Sequence, residues 1–322
     1  MLAVYASDGT KFVRQTEVSA AGPNPIWFDL HNPTHEEDLQ VEACLGVSVP
    51  TREDMREIEA SNRFYNENGA TYITTFLVHN GHQGPPESTT ITFILRRNHV
   101  VTVRYTEPTL FPDFRSRVER GDAPIGTGPA ILIGLFESLI HKKADLIERV
   151  QDEISNLGTG IFDMKPRRDR NKRLDALLKA IGRQGDIVSR VQESSTSIDR
   201  SLHFFQGVAR DHGCEEKTLQ RISTAEHDSA SLADNLRALS QRITFLLDAT
   251  LGMITTEQNQ IIKLFSVMGV MLMPPTVVAS IYGMNFKNMP ELDWQLGYPL
   301  AIVLMFISAA IPFFYFKSKG WL

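Results

Sequence analysis

Charge is nearly missing from the end of this chain. Residues 261–322 hold only Lys263, Lys287, Glu291, Asp293, Lys317 and Lys319, 6 of the 71 charged residues in a sequence of 322. The preceding 260 residues carry the other 65, with a net charge of −7. That imbalance excludes a uniformly soluble enzyme and a nucleic-acid binder with a basic face. Cysteine is scarce too: Cys44 and Cys214 stand alone, with no CxxC spacing, so neither a disulfide scaffold nor a thiolate zinc site is supported. His203, His212, Cys214 and His227 match no compact zinc spacing, and His79 and His82 beside Gly81 and Gly84 read as loop. The N-terminus lacks a basic segment followed by an apolar core, so no secretory signal is expected and the large first part is expected in the cytosol. Gly158-Thr159-Gly160 lacks a Walker lysine and reads as a turn; no ATP-binding loop and no enzymatic activity are expected.

Two stretches carry no charge at all. Residues 264–286 and 294–316 are each 23 residues long. As helix each would measure about 34 Å, against a hydrocarbon core of about 30 Å. Trp294 and Tyr298 beside the connecting loop, and Tyr315 and Trp321 at the other end, are aromatic residues of the kind that mark membrane interfaces. Two spans place both termini on one side. Lys263, Lys317 and Lys319 flank the spans there, and the positive-inside rule puts that side in the cytosol. The short loop outside contributes Glu291 and Asp293 against Lys287, a weakly negative mouth if repeated around an oligomer.

Residues 1–125 read as a small α/β domain with a largely antiparallel sheet. Ile26–Leu30 is an apolar strand. Thr34-His35-Glu36-Glu37 is a capping box opening a helix to about Leu45, and Thr51-Arg52-Glu53-Asp54 repeats it more weakly. Asn68-Gly69 signals one hairpin; Arg96-Arg97-Asn98, between Thr89–Leu95 and His99–Tyr105, signals another.

After Pro129 the apolar period becomes helical: Phe136, Ile140, Ile147, Val150, Ile154 and Leu157 share a stripe. Between Pro166 and Pro274 there is no proline. Asp211-His212-Gly213 marks a break, and Leu232, Leu236, Leu239, Ile243 and Leu246 then form a coiled-coil seam. No stop signal separates this seam from the first span, so one helix from about Cys214 to Tyr282, on the order of 100 Å long, is expected. Gly252 is the alternative break. A helix running from a cytosolic body into the membrane is a mechanical connector, which favours a channel or transporter with a gating domain over an anchor.

One face of the first span is small or neutral-polar: Gly269, Met273, Thr276, Ser280 and Gly283. Extended towards the cytosol it takes in Phe265, Ile262, Asn259, Thr255 and Asp248. Val267, Val270, Met271, Val277, Val278 and Ile281 make the other face apolar. The pattern alone leaves pore lining and helix packing both open. Two spans cannot enclose a pore, so a pore requires several copies. Neither span holds a carboxylate or histidine, which argues against proton coupling and suits a cation that keeps its water. Mg²⁺ dehydrates reluctantly and can be held through its water by amide and carbonyl oxygens. Tyr282-Gly283-Met284-Asn285-Phe286 supplies such parts: Gly283 lets carbonyls approach the axis, and Asn285 places an amide oxygen at the mouth. Pro274-Pro275 is expected to bend or unwind the span, freeing carbonyls for the axis or merely kinking it.

Tyr282–Phe286, then Met289-Pro290-Glu291-Leu292, Gly297-Tyr298-Pro299 and a lysine-bearing tail ending Trp321-Leu322 resemble the CorA magnesium-transport family, in its proteobacterial branch. Glu257-Gln258-Asn259, Pro274-Pro275-Thr276 and Ile58-Glu59-Ala60-Ser61 agree with it. The resemblance implies an α+β cytosolic domain (1–125), a long-helix stalk (126–260), a pore-lining first span (261–286), an external loop (287–297), a second span (298–316) and a basic cytosolic tail (317–322). Five copies would form a homopentameric funnel in the plasma (inner) membrane, admitting Mg²⁺ down the membrane potential, with Co²⁺ and Ni²⁺ as possible further ions. Gly283, Met284 and Asn285 correspond to the selectivity filter. Thr276, Met273 and Ser280 fall at pore-lining positions, Ser280 where many members have glycine. Phe265 and Ile262 fall at the hydrophobic constriction, and Asp248 at an inner acidic ring. No tightly bound cofactor is implied, but cytosolic Mg²⁺ is implied as a regulatory ligand, with Glu226 and Asp228 as candidates or simply solvated helix charges. The alternatives are a Zn²⁺, Co²⁺ or Ni²⁺ carrier of the same superfamily, and a two-span receptor or scaffold.

Overall fold

The computed structural model describes residues 1–7, 12–15, 25–57, 59, 62–80, 86–121, 126–163, 170–285, 289–290 and 294–321. They form β1 (Leu2–Ser7), β2 (Phe12–Gln15), β3 (Pro25–His31), α1 (His35–Leu45), α2 (Arg52–Glu57), β4 (Phe64–Glu67), β5 (Ala70–Asn80), β6 (Pro86–Arg96), β7 (His99–Arg104), α3 (Leu110–Arg120), α4 (Gly128–Phe162), α5 (Arg170–Asp211), α6 (Glu216–Tyr282) and α7 (Gly297–Ser318). Contacts divide them into two units: 1–163 with 179–246, and 164–178 with 247–322.

In the first unit a seven-stranded sheet runs β2-β1-β3-β7-β6-β5-β4. Only β3 and β7 are parallel. Both expected hairpins are present, β4–β5 about Asn68-Gly69 and β6–β7 about Arg97-Asn98, with Asn68 and Arg97 at positive φ. Both faces of the sheet are buried, and successive side chains serve opposite cores. Tyr5, Trp27, Phe93 and Val100 join residues of α3, α4, α5 and α6 on one side. Val4, Phe28, Ile94 and Val101 join residues of α1 and α2's Met55 on the other. The capping boxes form: the Thr34 hydroxyl accepts from Glu37 N–H and the Glu37 carboxylate from Thr34 N–H, and Thr51 and Asp54 repeat the exchange. His79, expected in a loop, lies in β5, because the β5–β6 pairing continues to Asn80.

Two polar networks tie the unit together. At the parallel pair, the Asp29 carboxylate receives Arg104 Nε and Nη2 at 3.1 and 2.9 Å, and the Thr102 hydroxyl at 2.7 Å. Arg115 and Glu107 continue it, and both side chains of the Asp29–Arg104 pair are fully buried. Along β5, strand β4 pairs only as far as Ile73. Serines of α5 cover the edge beyond: Phe76 N–H donates to Ser197 Oγ and Val78 N–H to Ser194 Oγ. A buried edge amide without a partner would cost about 1–3 kcal/mol, which these hydroxyls avoid.

Helix α5 ends at Asp211, Gly213 has φ 63°, and α6 begins at Glu216, two residues beyond the expected start. From there α6 is unbroken for 67 residues, through Gly252 and through Pro274 and Pro275. Of its seam, Leu236, Leu239 and Leu246 are buried, and Leu232 and Ile243 are half-buried.

Candidate functional site

The apolar part of α6 and the whole of α7 are long and apolar enough to cross a membrane, and only 6% of each apolar window is buried. Helix α6 stops at Tyr282, the end expected from sequence, and Gly283-Met284-Asn285 follows it as the cap. Gly283 N–H donates to Ala279 O at 3.0 Å and Met284 N–H to Ile281 O at 3.2 Å. A Cβ on Gly283 would sit 3.1 Å from Ala279 O and 3.6 Å from Ser280 O. Glycine therefore leaves the last-turn carbonyls uncovered. The C-terminus of a helix also bears about half a negative charge, which is favourable to a cation held there. Asn285 is exposed just beyond.

The side chains of α6 fall into two stripes. Asp248, Thr255, Asn259, Ile262, Phe265, Gly269, Met273, Thr276, Ser280 and Gly283 are all exposed, Phe265 by 67% and Met273 by 69%. The protected positions in the apolar part are Val267, Met271, Pro274, Pro275, Val278 and Tyr282. At 100° per residue their stripe lies roughly 170° round the helix from the first. Of the apolar face expected from sequence, Val267, Met271 and Val278 are therefore shielded, while Val270, Val277 and Ile281 are exposed. On α7 the buried positions are the small residues Gly297 and Ala301, which permit close helix approach. Lys263 Nζ, on the protected side of α6, lies 5.7 Å from the centre of the Trp321 ring just after α7. The small-polar face thus looks away from the partner span.

Thr276 and Thr255 turn their hydroxyls back to Leu272 O and Leu251 O, leaving oxygen lone pairs as acceptors on this face. Pro274 and Pro275 lack the N–H groups that would bond the carbonyls of Val270 and Met271. Those residues lie roughly 80° and 180° from the middle of the exposed face, so the freed carbonyls are not aimed along it. The sequence pattern did not reveal this, because it showed the prolines but not which side of α6 was covered. Glu291 and Asp293 of the outer loop, with Phe286, Lys287, Asn288 and Leu292, lie outside the described residues.

The two regulatory candidates do not meet. Glu226 accepts from Gln206 Nε2 at 2.6 Å and lies 3.6 Å from His203 Nδ1. Asp228 is exposed and roughly 200° away around α6. His212, just past α5, bonds back to Val208 O in its last turn. Among the described residues no three His, Cys, Asp or Glu side chains are grouped to hold a metal ion. A bridging ion at Glu226 or Asp228 would need ligands from another copy.

Residues 24–318 match the family described as CorA-like Mg²⁺ transporter protein. The chain belongs to that family. It is 33% identical to the magnesium transport protein CorA of Escherichia coli K12 over the full length of both chains, and equally so to that of Salmonella typhimurium LT2. Among solved structures, the complete CorA magnesium transporter of Methanocaldococcus jannaschii superposes with a TM-score of 0.76 at 15% identity, covering 100% of this chain and 99% of that one. The full-length CmaX protein gives 0.68 at 16%, covering 100% and 98%. The fold is therefore that of CorA: a mixed α/β domain, a long helix and two membrane helices. The chain is a membrane protein, and its family is one of transporters rather than enzymes.

Proposed function

We propose that this chain carries Mg²⁺ into the cell, as a channel lined by the exposed face of α6. The observation that carries the proposal is the opposition of the two stripes: the protected one lies on the side of α6 where Lys263 meets Trp321 beyond the companion span, so Gly269, Met273, Thr276, Ser280 and Gly283 are free to line an axis shared by several copies. The spans are 261–286 and 298–316, joined by an external loop at 287–297, with 1–125, the stalk 126–260 and the tail 317–322 in the cytosol. Five copies make the assembly in the plasma (inner) membrane, in keeping with the family. No resident cofactor is needed.

Gly283, Met284 and Asn285 form the filter. Amide and last-turn carbonyl oxygens bond the water shell of the ion, sparing the cost of stripping it. Ser280 and Thr276 continue the polar path inward; Phe265 and Ile262 form an apolar constriction, and Asp248 an acidic ring below Asn259 and Thr255. Glu291 and Asp293 make the outer mouth attractive to cations. An inside-negative potential supplies about 4.6 kcal/mol per divalent ion per 100 mV, so no ATP is required. Internal Mg²⁺ holding neighbouring copies together through carboxylates such as Glu226 or Asp228 closes the channel, and Co²⁺ and Ni²⁺ compete for the same path. The zinc-carrier and scaffold alternatives gain no support from the matched family or the named relatives.

The test is Mg²⁺ uptake into liposomes by the purified oligomer. Wild type takes up Mg²⁺ when the interior is negative, and less when internal Mg²⁺ is high. Asn285→Ala, with its oligomer intact, loses about 10- to 100-fold, the weight of a hydrogen bond to a charged group. Undiminished uptake by that variant, or none by wild type, would overturn the reading.

A further inference from the structure

The end of α7 is a built platform rather than a loose tail. Gly320 has φ 69°, a conformation that favours glycine. Its N–H donates to Lys317 O, and Trp321 N–H reaches back to Phe316 O, both at 3.1 Å. This is the double bond of a Schellman cap, whose usual companion is an apolar contact between the same two residues. Here it is the Trp321 indole stacked on Phe316, ring centres 5.4 Å apart. The indole also meets Lys263 of α6, whose ammonium lies 5.7 Å from the ring centre. Lys317 leans over Phe313 on the same turn. Lys319 follows at the cap. All three lysines are exposed, and among the described residues no ion pair engages them.

We propose that Lys263, Lys317 and Lys319, arranged around Trp321, bind the phosphate of an anionic phospholipid headgroup. The inference rests on the membrane reading above and adds a ligand to it. The site stands at one end of two apolar helices, where a headgroup lies. Its indole is amphipathic and suited to that depth. The three ammoniums outweigh the roughly half negative charge at the end of α7. The lipid is chosen over a soluble anion because Trp321 and Tyr315 are exposed beside the lysines and offer acyl chains and glycerol an apolar wall.

The experiment is lipid binding to the full-length oligomer in neutral detergent, followed by native mass spectrometry with phosphatidylglycerol, phosphatidylcholine or inorganic phosphate as probe. Phosphatidylglycerol is expected to bind in preference to phosphatidylcholine. Each of Lys263→Gln, Lys317→Gln and Lys319→Gln is expected to weaken it about fivefold, the weight of one lysine near an anionic surface. Gly320→Val keeps every charge but breaks the cap, and is expected to weaken it as well; Lys217→Gln, exposed in the first unit, serves as the control and is expected to leave binding unchanged. Equal binding of the two lipids, binding unaltered in the triple lysine variant, or inorganic phosphate displacing phosphatidylglycerol at equal concentration would overturn the proposal. Mg²⁺ uptake in liposomes that contain phosphatidylglycerol separates the two readings: failure of wild-type uptake there strikes the channel and leaves the lipid result standing.

Discussion

The sheet-bearing unit and the apolar helices of this chain meet opposite requirements. The first buries charge and pairs it: Asp29 with Arg104, Lys143 with Ser195 and Ser229. The second exposes apolar side chains in bulk, Phe306 by 74% and Met273 by 69%, and needs lipid and further copies to cover them. One region buries its core within the chain; the other leaves its apolar surface to its surroundings. Chemistry follows the same division. Asp29, Arg104 and Thr102 in the first unit are consumed by the fold, while Thr255 and Thr276 on α6 keep oxygen lone pairs free.

The strongest way to break this contrast is to unpair the buried charge. Arg104→Met strands Asp29 among apolar side chains, and we expect a loss of about 3–5 kcal/mol in the stability of the first unit. Thermal unfolding or hydrogen exchange over β3 and β7 would show it; a variant as stable as wild type would mean that the pair is not buried. On the other side, Phe306→Lys puts a charge near the middle of α7. Its cost is about 3 kcal/mol if the residue faces lipid, read as poor membrane insertion, and near zero if it faces water.

Lys143 sharpens the comparison more gently. It is only 6% exposed, donates to Ser195 and Ser229, and burial lowers its pKa from 10.5 to about 8. The folded value lies below the unfolded one, so between about pH 8 and 10.5 the unfolded chain holds this proton more tightly. Stability attributable to Lys143 therefore rises with pH across that window, by no more than about 3 kcal/mol. Tyr65, Tyr72 and Tyr105 are shifted up by burial and oppose it at the alkaline end. The readout is thus the difference in slope between wild type and Lys143→Met; equal slopes would exclude a titrating buried lysine.

Local signals made much of this fold legible in the sequence. Thr34 and Glu37 lie three residues apart, Asn68-Gly69 is its own turn, and a charge-free run needs no partner to be recognised. The small-polar face of α6 was visible as a period of 4 and 3, and Gly283 and Asn285 as a glycine and an amide placed at its end. What stayed hidden depends on distant partners. Arg104 and Asp29 are 75 residues apart, and Lys143 lies 52 and 86 from its serines. The serines of α5 carry no local signal of the β5 amides they bond. The stripe opposite the small-polar face was illegible for the same reason: Val267 and Val270 are alike in sequence, and only the fold covers one and exposes the other.

The central claim is that the exposed stripe of α6 faces water and ions, whereas the protected stripe faces protein. Single cysteines placed in a background with Cys44 and Cys214 replaced, and treated with a charged, membrane-impermeant thiol reagent from outside during Mg²⁺ uptake, test it directly. Ser280→Cys and Thr276→Cys should react, lose uptake on reaction and be protected by Mg²⁺, while Val278→Cys and Met271→Cys stay unmodified. Modification of 278 and 271 with 280 and 276 left untouched would contradict the account.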